Sequence, residues 1–69
     1  ASLFTHEKGE NAVLEKIGEE ATETILAAKD DDRDGLTAES ADLVYHLLVV
    51  LSMKDLDVDA LRDELRDRF

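Results

Sequence analysis

No residue of the 69-residue chain necessarily interrupts a helix, because proline is absent and there are only three glycines. Proline removes a backbone donor and clashes inside a helix, so its absence leaves long helices free to form. Cysteine is also absent, so no disulfide or thiolate metal site can supplement a small core. A chain of this length is at most one domain and buries a limited fraction of its surface. We expect an all-α fold that is completed by dimerisation.

Apolar periodicity predicts an N-terminal fragment followed by three main helices in a small antiparallel bundle. The fragment covers residues 1–8, where Leu3 and Phe4 would dock a helical turn. Gly9 would separate this turn from the first main helix, which is predicted over residues 11–28.

The other two helices follow an acidic loop at residues 29–35. Thr37 is the expected N-cap of a second helix that runs to residue 53. After a tight connection at residues 54–56, Asp57 is expected to cap a last helix that packs one apolar stripe on the others. That stripe consists of Val58, Leu61, Leu65 and Phe69.

Acidic side chains dominate the charge: 18 Asp and Glu stand against 8 Lys and Arg, giving a formal net charge of −10. Such a charge repels nucleic-acid phosphates and anionic membrane surfaces, and no basic patch offsets it. No uninterrupted apolar run approaches the roughly 18 residues needed to cross a bilayer, and no signal peptide is visible. We therefore expect a cytoplasmic protein without a nucleic-acid or membrane partner.

Two explanations of this acidity compete. In one, the surface is adapted to high salt, as in halophilic organisms, where ions screen the repulsion between carboxylates. In the other, some of the carboxylates bind a cation. The acidic residues fall largely in loops and at helix ends, which favours salt adaptation for most of the charge and leaves a few carboxylates to be explained.

The second helix carries one polar stripe on an otherwise apolar surface. At about 100° per residue, Glu39, Asp42 and His46 lie within roughly 60° of one another, at spacings of three and four. A helix that is apolar nearly all round is expected to be buried, so this stripe either faces solvent or has a function.

The first helix favours a function, since it places acidic residues beside its buried face. Glu20 falls next to that face, Glu23 and Lys16 lie at its edge, and Glu19 is one step further out. The buried face itself consists of Val13, Ile17, Ala21 and Thr24. Glu20 and Glu23 are three residues apart, as are Glu39 and Asp42, so two antiparallel helices could bring all four carboxylates together.

Four clustered carboxylates would raise one another's pKa, and a divalent cation removes that difficulty. Oxygen ligands suit Mg²⁺ or Mn²⁺ better than zinc. Mg²⁺ commonly binds substrate phosphates through its remaining positions, so the pattern predicts phosphate chemistry. A di-iron site is disfavoured, because neither carboxylate pair is followed by a His at the usual spacing.

Two motifs then carry a resemblance to a known family. Residues 16–23 read Lys-Ile-Gly-Glu-Glu-Ala-Thr-Glu, which resembles the Lys-x-Gly-Glu-Glu-x-x-Glu signature of phosphoribosyl-ATP pyrophosphohydrolases. Residues 39–49, with Tyr45 and His46 after the acidic pair, are similar to the second motif of that family. Together they match the Glu-Glu-x-x-Glu and Glu-x-x-Asp pattern of MazG-like helical pyrophosphohydrolases. The resemblance covers nearly the whole chain and implies a single domain over residues 1–69.

The resemblance implies that the chain hydrolyses phosphoribosyl-ATP to phosphoribosyl-AMP and pyrophosphate, the second step of histidine biosynthesis. It also implies a homodimer with Mg²⁺ in each site. Two departures are visible. Similar proteins usually carry a further helix before the position of Ala1, and they usually have Gly where this chain has Asp55. Asp tolerates the left-handed conformation that such a turn requires.

We hypothesise that the four paired carboxylates hold one or two Mg²⁺ ions: Glu20, Glu23, Glu39 and Asp42. Glu19 would orient or deprotonate the attacking water, unless it is simply an exposed helix carboxylate. Lys16 would bind the departing pyrophosphate, or would instead pair with the Glu four residues later. His46 would contact substrate, orient the acidic pair on its own helix, or have a structural role.

Two other functions remain open. A MazG-like enzyme acting on another nucleoside or deoxynucleoside triphosphate would have the same metal site. A non-catalytic acidic helical dimerisation module would instead have carboxylates that only solvate the surface, and it would release no pyrophosphate.

Overall fold

The computed structural model describes the backbone of residues 3–69 and the side chains from residue 7 onward. It consists of three α-helices: α1 (Leu3–Lys29), α2 (Arg33–Met53) and α3 (Val58–Arg68). No strand occurs within residues 3–69. The prediction of an all-α fold with three main helices is therefore confirmed.

The predicted break at Gly9 is wrong, because α1 runs through it without interruption. A lone glycine inside a helix costs about 1 kcal/mol relative to alanine, which the neighbouring helical turns can offset. An ion pair next to Gly9 supports the continuous helix, since Oε1 of Glu10 lies 2.7 Å from Nζ of Lys54. The predicted docking of Leu3 and Phe4 concerns side chains outside the described ones.

The α1–α2 turn is shorter than predicted and has a different N-cap. Asp31 takes a left-handed conformation with φ 56°, and the side chain of Asp32 accepts a hydrogen bond of 3.0 Å from the Gly35 backbone N–H. The prediction of Thr37 as N-cap is wrong. Thr37 lies inside α2, where its Oγ1 donates to the Arg33 carbonyl at 2.9 Å. Asp ranks above Thr as a cap, so the earlier residue begins the helix.

The connection from α2 to α3 agrees with the prediction. Asp55 is left-handed, with φ 58°, and the Leu56 N–H donates to the Leu51 carbonyl at 2.8 Å. That bond is characteristic of a Schellman C-terminus. Asp57 then caps α3 by accepting a 2.9 Å hydrogen bond from the Asp59 N–H.

Packing between helices is concentrated between α1 and α2, whereas α3 makes few contacts with either. The molecule measures 43 × 29 × 13 Å and has a radius of gyration of 14.2 Å, against about 11 Å for a compact domain of this length. A single helix pair covers only one side of each helix. Ala27 is accordingly the one buried apolar residue among those whose side chains are described.

The expectation that α2 is buried nearly all round is therefore wrong for the single chain. Val44 and Tyr45 are 54% and 62% exposed, because no side chain from residue 7 onward covers the side of α2 that points away from α1. The stripe of α3 is also exposed, at Val58, Leu61 and Leu65, so the expected packing of α3 on the other helices is not present.

By length and composition, α2 could also cross a membrane. Its apolar residues do not form one uninterrupted run, because Glu39, Asp42 and His46 lie among them. A core helix of a globular protein has the same composition. None of α2 is buried in the single chain, but carboxylates are costly within hydrocarbon, and Glu39 and Asp42 line a cleft that α2 shares with α1. We therefore interpret α2 as a helix that packs on protein.

Candidate active site

An open cleft of about 340 Å³ lies along one side of the α1–α2 pair. Six residues line it: Lys16, Glu19, Glu20, Glu23, Glu39 and Asp42. We call it the acidic cleft. Residues three and four apart share one face of a helix, and the short α1–α2 turn makes the two helices antiparallel. The structure therefore places the four predicted metal ligands and both predicted catalytic residues along one open cleft.

Glu20 differs from the other cleft residues in its burial and its partner. Its Oε1 lies 2.6 Å from Nδ1 of His46 on α2, and the two side chains are only 11% and 22% exposed. Because a carboxylate accepts, Nδ1 of His46 is the donor. His46 thus contacts a carboxylate of α1. The sequence left three roles open for His46, namely contact with substrate, orientation of Glu39 and Asp42, or a structural role, and this partner was not among the residues considered. The two residues are 26 positions apart in the sequence, so the apolar periodicity of either helix could not predict their contact.

The carboxylates of the cleft are close enough to affect one another's ionisation. The pKa of Glu39 is raised above its ordinary value of 4.5, first by burial and then by the negative charges of Asp42, Glu23 and Glu20. Carboxylates from both helices therefore raise the pKa of Glu39. A cation placed among them would relieve this repulsion.

Lys16 is the cation that lines the acidic cleft. Its Nζ lies 3.7 Å from Oε2 of Glu19, one turn further along α1, and both side chains are well exposed. The alternative pairing of Lys16 with Glu20 is not formed. An exposed pair of this kind contributes little stability, so both groups can rearrange when a phosphate enters.

The donor chemistry of the cleft fits a hard divalent cation. It offers carboxylate oxygens from both helices, as Mg²⁺ and Mn²⁺ require, and no thiolate. Among the described side chains, no three His, Asp or Glu groups lie close enough together to hold a metal ion in their present positions. Glu23 and Asp42 are exposed, and the raised pKa of Glu39 places Asp42, Glu23 and Glu20 within electrostatic range of that carboxyl.

These features define a class: small all-α proteins in which two antiparallel helices supply the carboxylates of a single cleft, as in the MazG-like pattern. Within it, the chain belongs to the phosphoribosyl-ATP pyrophosphohydrolase family, whose model matches residues 1–69.

Relatives named phosphoribosyl-ATP pyrophosphatase support this membership. One from Haloarcula marismortui is 75% identical over 68 residues, which cover 99% of this chain and 69% of the relative. One from Natronomonas pharaonis is 72% identical over 68 residues, covering 99% of this chain and 67% of the relative. A third, from Methanococcoides burtonii, is 49% identical over 67 residues, covering 97% and 68%. The chain thus spans about two thirds of each relative.

Proposed function

We propose that the chain hydrolyses phosphoribosyl-ATP to phosphoribosyl-AMP and pyrophosphate, the second step of histidine biosynthesis, and that the reaction requires Mg²⁺. Family membership supports the reaction and the substrate. The observation that carries the magnesium requirement is the convergence of acidic residues from α1 and α2 on one cleft. A biosynthetic reaction of this kind belongs in the cytoplasm.

In this proposal, Glu20, Glu23, Glu39 and Asp42 hold the cation. When bound there, Mg²⁺ neutralises phosphate charge and makes water more acidic. The carboxylates supply the negative charge that attracts the cation. Without the cation their mutual repulsion is uncompensated, and this repulsion adds to burial in raising the pKa of Glu39. The triphosphate itself is an anion, so it can enter this cleft only together with a cation.

Lys16 and Glu19 would act together at the edge of the cleft. In the free chain they form an exposed ion pair at 3.7 Å. A triphosphate is a better partner for Lys16, since it carries several negative charges and Glu19 carries one. Binding of the triphosphate would therefore separate the pair. Lys16 would then balance the charge of the departing pyrophosphate, and Glu19 would be free to accept a proton from the attacking water.

The second part of the proposal is a homodimer. Apolar residues of α1 and α2 lie on the side of the helix pair away from the acidic cleft, at about 100° per residue. We call these residues the apolar face: Leu14, Ile25, Val44, Leu47 and Leu48, each more than a third exposed. Apolar patches of this kind mark interaction sites, and a second copy would cover this one.

Pyrophosphate release from phosphoribosyl-ATP, measured with and without Mg²⁺ at low and at high salt, tests the function. We expect release only with Mg²⁺. High salt should support activity, because ions screen the −10 net charge. No release under any of these conditions would contradict the proposal. Faster hydrolysis of another nucleoside or deoxynucleoside triphosphate would overturn the substrate and leave the metal site in place.

A further inference from the structure

The contact between His46 and Glu20 sits at the boundary between the acidic cleft and the packed interface of α1 and α2. Glu20 lines the cleft, yet it is the one buried polar residue among the side chains described, with 9% of its surface exposed. Glu23 and Asp42 are exposed, and Glu39 is half-buried. Of the four carboxylates proposed to hold a cation, Glu20 is therefore the one whose orientation the fold restricts.

The hydrogen bond is what restricts it. At 2.6 Å between Oε1 and Nδ1, the bond is short and has a charged acceptor, which makes it stronger than a neutral one. Shielding from water strengthens it further. A free glutamate side chain has about 1.5–2 kcal/mol of rotamer entropy to lose when it is fixed. The hydrogen bond from His46 fixes the Glu20 side chain.

The imidazole is itself held in place. Its ring packs edge-on against Tyr45, with centroids 5.1 Å apart and an interplanar angle of 74°. Hydrogen bonding from neighbouring groups is the usual way in which proteins orient metal ligands.

We infer that His46 is a positioning residue: it donates from Nδ1 to Oε1 of Glu20 and leaves Oε2 of that carboxylate available to a divalent cation in the acidic cleft. In this role His46 touches neither the substrate nor the cation. The inference rests on the proposed function, because it assumes that Glu20 is a ligand.

Substitutions of His46 that differ only in the position of the donor test the inference. His46→Asn keeps an N–H near the position of Nδ1, whereas His46→Gln moves it about one bond further out, and His46→Leu removes it. Calorimetric titration of the full chain with Mg²⁺, without substrate and at constant ionic strength, measures the effect directly. We expect His46→Leu and His46→Gln to weaken Mg²⁺ binding roughly 10–100-fold, the usual range for such partners, and His46→Asn to stay within about threefold of the parent.

A purely structural role for His46 predicts a different order. Leucine removes the hydrogen-bond partner of the buried Glu20 carboxylate, so in a purely structural role His46→Leu would lower the melting temperature and leave Mg²⁺ binding unchanged. Equal Mg²⁺ affinity of the leucine and asparagine variants would overturn the inference. If the leucine variant does not fold, equal affinity of the glutamine and asparagine variants, which are both polar, would overturn it in the same way.

The same titration, combined with the pyrophosphate-release assay, separates this inference from the proposed function. If the parent chain binds Mg²⁺ and releases pyrophosphate while all three variants bind it equally well, only the role of His46 is wrong. If the parent chain neither binds Mg²⁺ nor releases pyrophosphate, the proposed function fails and the role of His46 fails with it.

Discussion

Individual carboxylates of the acidic cleft differ in burial, so substitutions of them measure different properties of the cleft. Glu20 is buried and held by His46. Glu39 is half-buried, and its pKa is raised. Asp42 is exposed, so it can be changed with little effect on packing. Substitutions of Asp42 therefore report on chemistry, and substitutions of Glu39 report on the electrostatic cost of the cleft.

Asp42→Asn is expected to lower Mg²⁺-dependent pyrophosphate release by at least roughly 100-fold, because changes of more distant partners already cost 10–100-fold. Helicity should be unchanged, as measured by circular dichroism. Asp34→Asn is a matched control, since it removes the same charge from the exposed first turn of α2, outside the cleft. Full turnover by Asp42→Asn would mean that the metal assignment is wrong.

Glu39→Gln is expected to stabilise the fold at about pH 7 without Mg²⁺. The pKa of Glu39 is raised in the folded chain, so the folded chain holds its proton more tightly than the unfolded chain does. Stability therefore falls as pH rises from 4.5 through the raised pKa. Gln removes this loss. Below pH 4.5 Glu39 is largely protonated in both states, so the advantage should disappear.

Urea midpoints of the parent and of Glu39→Gln, taken above and below that window at constant salt, measure the effect. Saturating Mg²⁺ should reverse the order at neutral pH, because the parent then gains binding energy that the variant lacks. A parent chain that is at least as stable as the variant at neutral pH without Mg²⁺ would contradict the electrostatic argument.

Helix ends in this chain depend on aspartate, both as an N-cap, where it is a preferred residue, and at left-handed positions, where glycine is the commoner choice. Asp31 and Asp55 both occupy the left-handed position that follows a helix. After α1, the Asp32 N–H donates to the Ala27 carbonyl at 2.9 Å, as in the turn after α2. Asp32 also caps the next helix, so one residue both closes α1 and begins α2.

Gly35→Ala tests how the cap of α2 is built. A Cβ at Gly35 would collide with the carboxylate of Asp32, so it would displace the cap and lose about 1 kcal/mol. Alanine would regain about 1 kcal/mol of helix propensity, since no described glycine has a positive φ. We expect a net change near zero. In the Asp32→Ala background, where no cap remains, the same substitution should stabilise by about 0.5–1 kcal/mol.

Urea unfolding of the four proteins in this cycle measures the coupling between the two positions. Additive changes, within the roughly 0.3–0.5 kcal/mol expected of independent sites, would show that the cap does not depend on the small size of Gly35.

The same helices show what the sequence could and could not predict. Spacings of three and four residues determine which side chains share a helix face, so all six residues of the acidic cleft were predictable. Helix boundaries were harder, because consecutive aspartates from residue 30 to 32 compete for one cap. The Glu20–His46 contact depends on the register between α1 and α2. The period of each helix is compatible with several registers, so no rule applied to one helix could identify that pair.

At the scale of the whole molecule, the two sides of the α1–α2 pair have opposite character. One side carries the acidic cleft, and the other carries the apolar face. In a molecule only 13 Å thick, no further layer formed by residues 3–69 covers that face. A domain normally needs two packed layers around a core. This geometry is consistent with the prediction of dimerisation, and the apolar face is the surface through which we expect two copies to associate.

Val44→Glu tests that surface. Val44 is 54% exposed in the single chain, so a carboxylate there should cost the isolated helix pair little. In a homodimer formed through the apolar face, the same carboxylate would be buried without a partner and would cost several kcal/mol. Sedimentation of the parent chain should therefore give a dimer, and Val44→Glu should shift it toward monomer. High salt is the appropriate condition, because at about 1 M the charges act over only about 3 Å.

Ala12→Glu provides the matched control, since it adds the same charge at an exposed position of α1 outside the apolar face. It should sediment like the parent, because its carboxylate stays in water. If both variants dissociate equally, net charge governs association and not burial of Val44. If neither dissociates, the copies meet elsewhere. The exposed stripe of α3, at Val58, Leu61 and Leu65, is then the surface to change, because it is the remaining row of apolar side chains that the helix pair leaves uncovered.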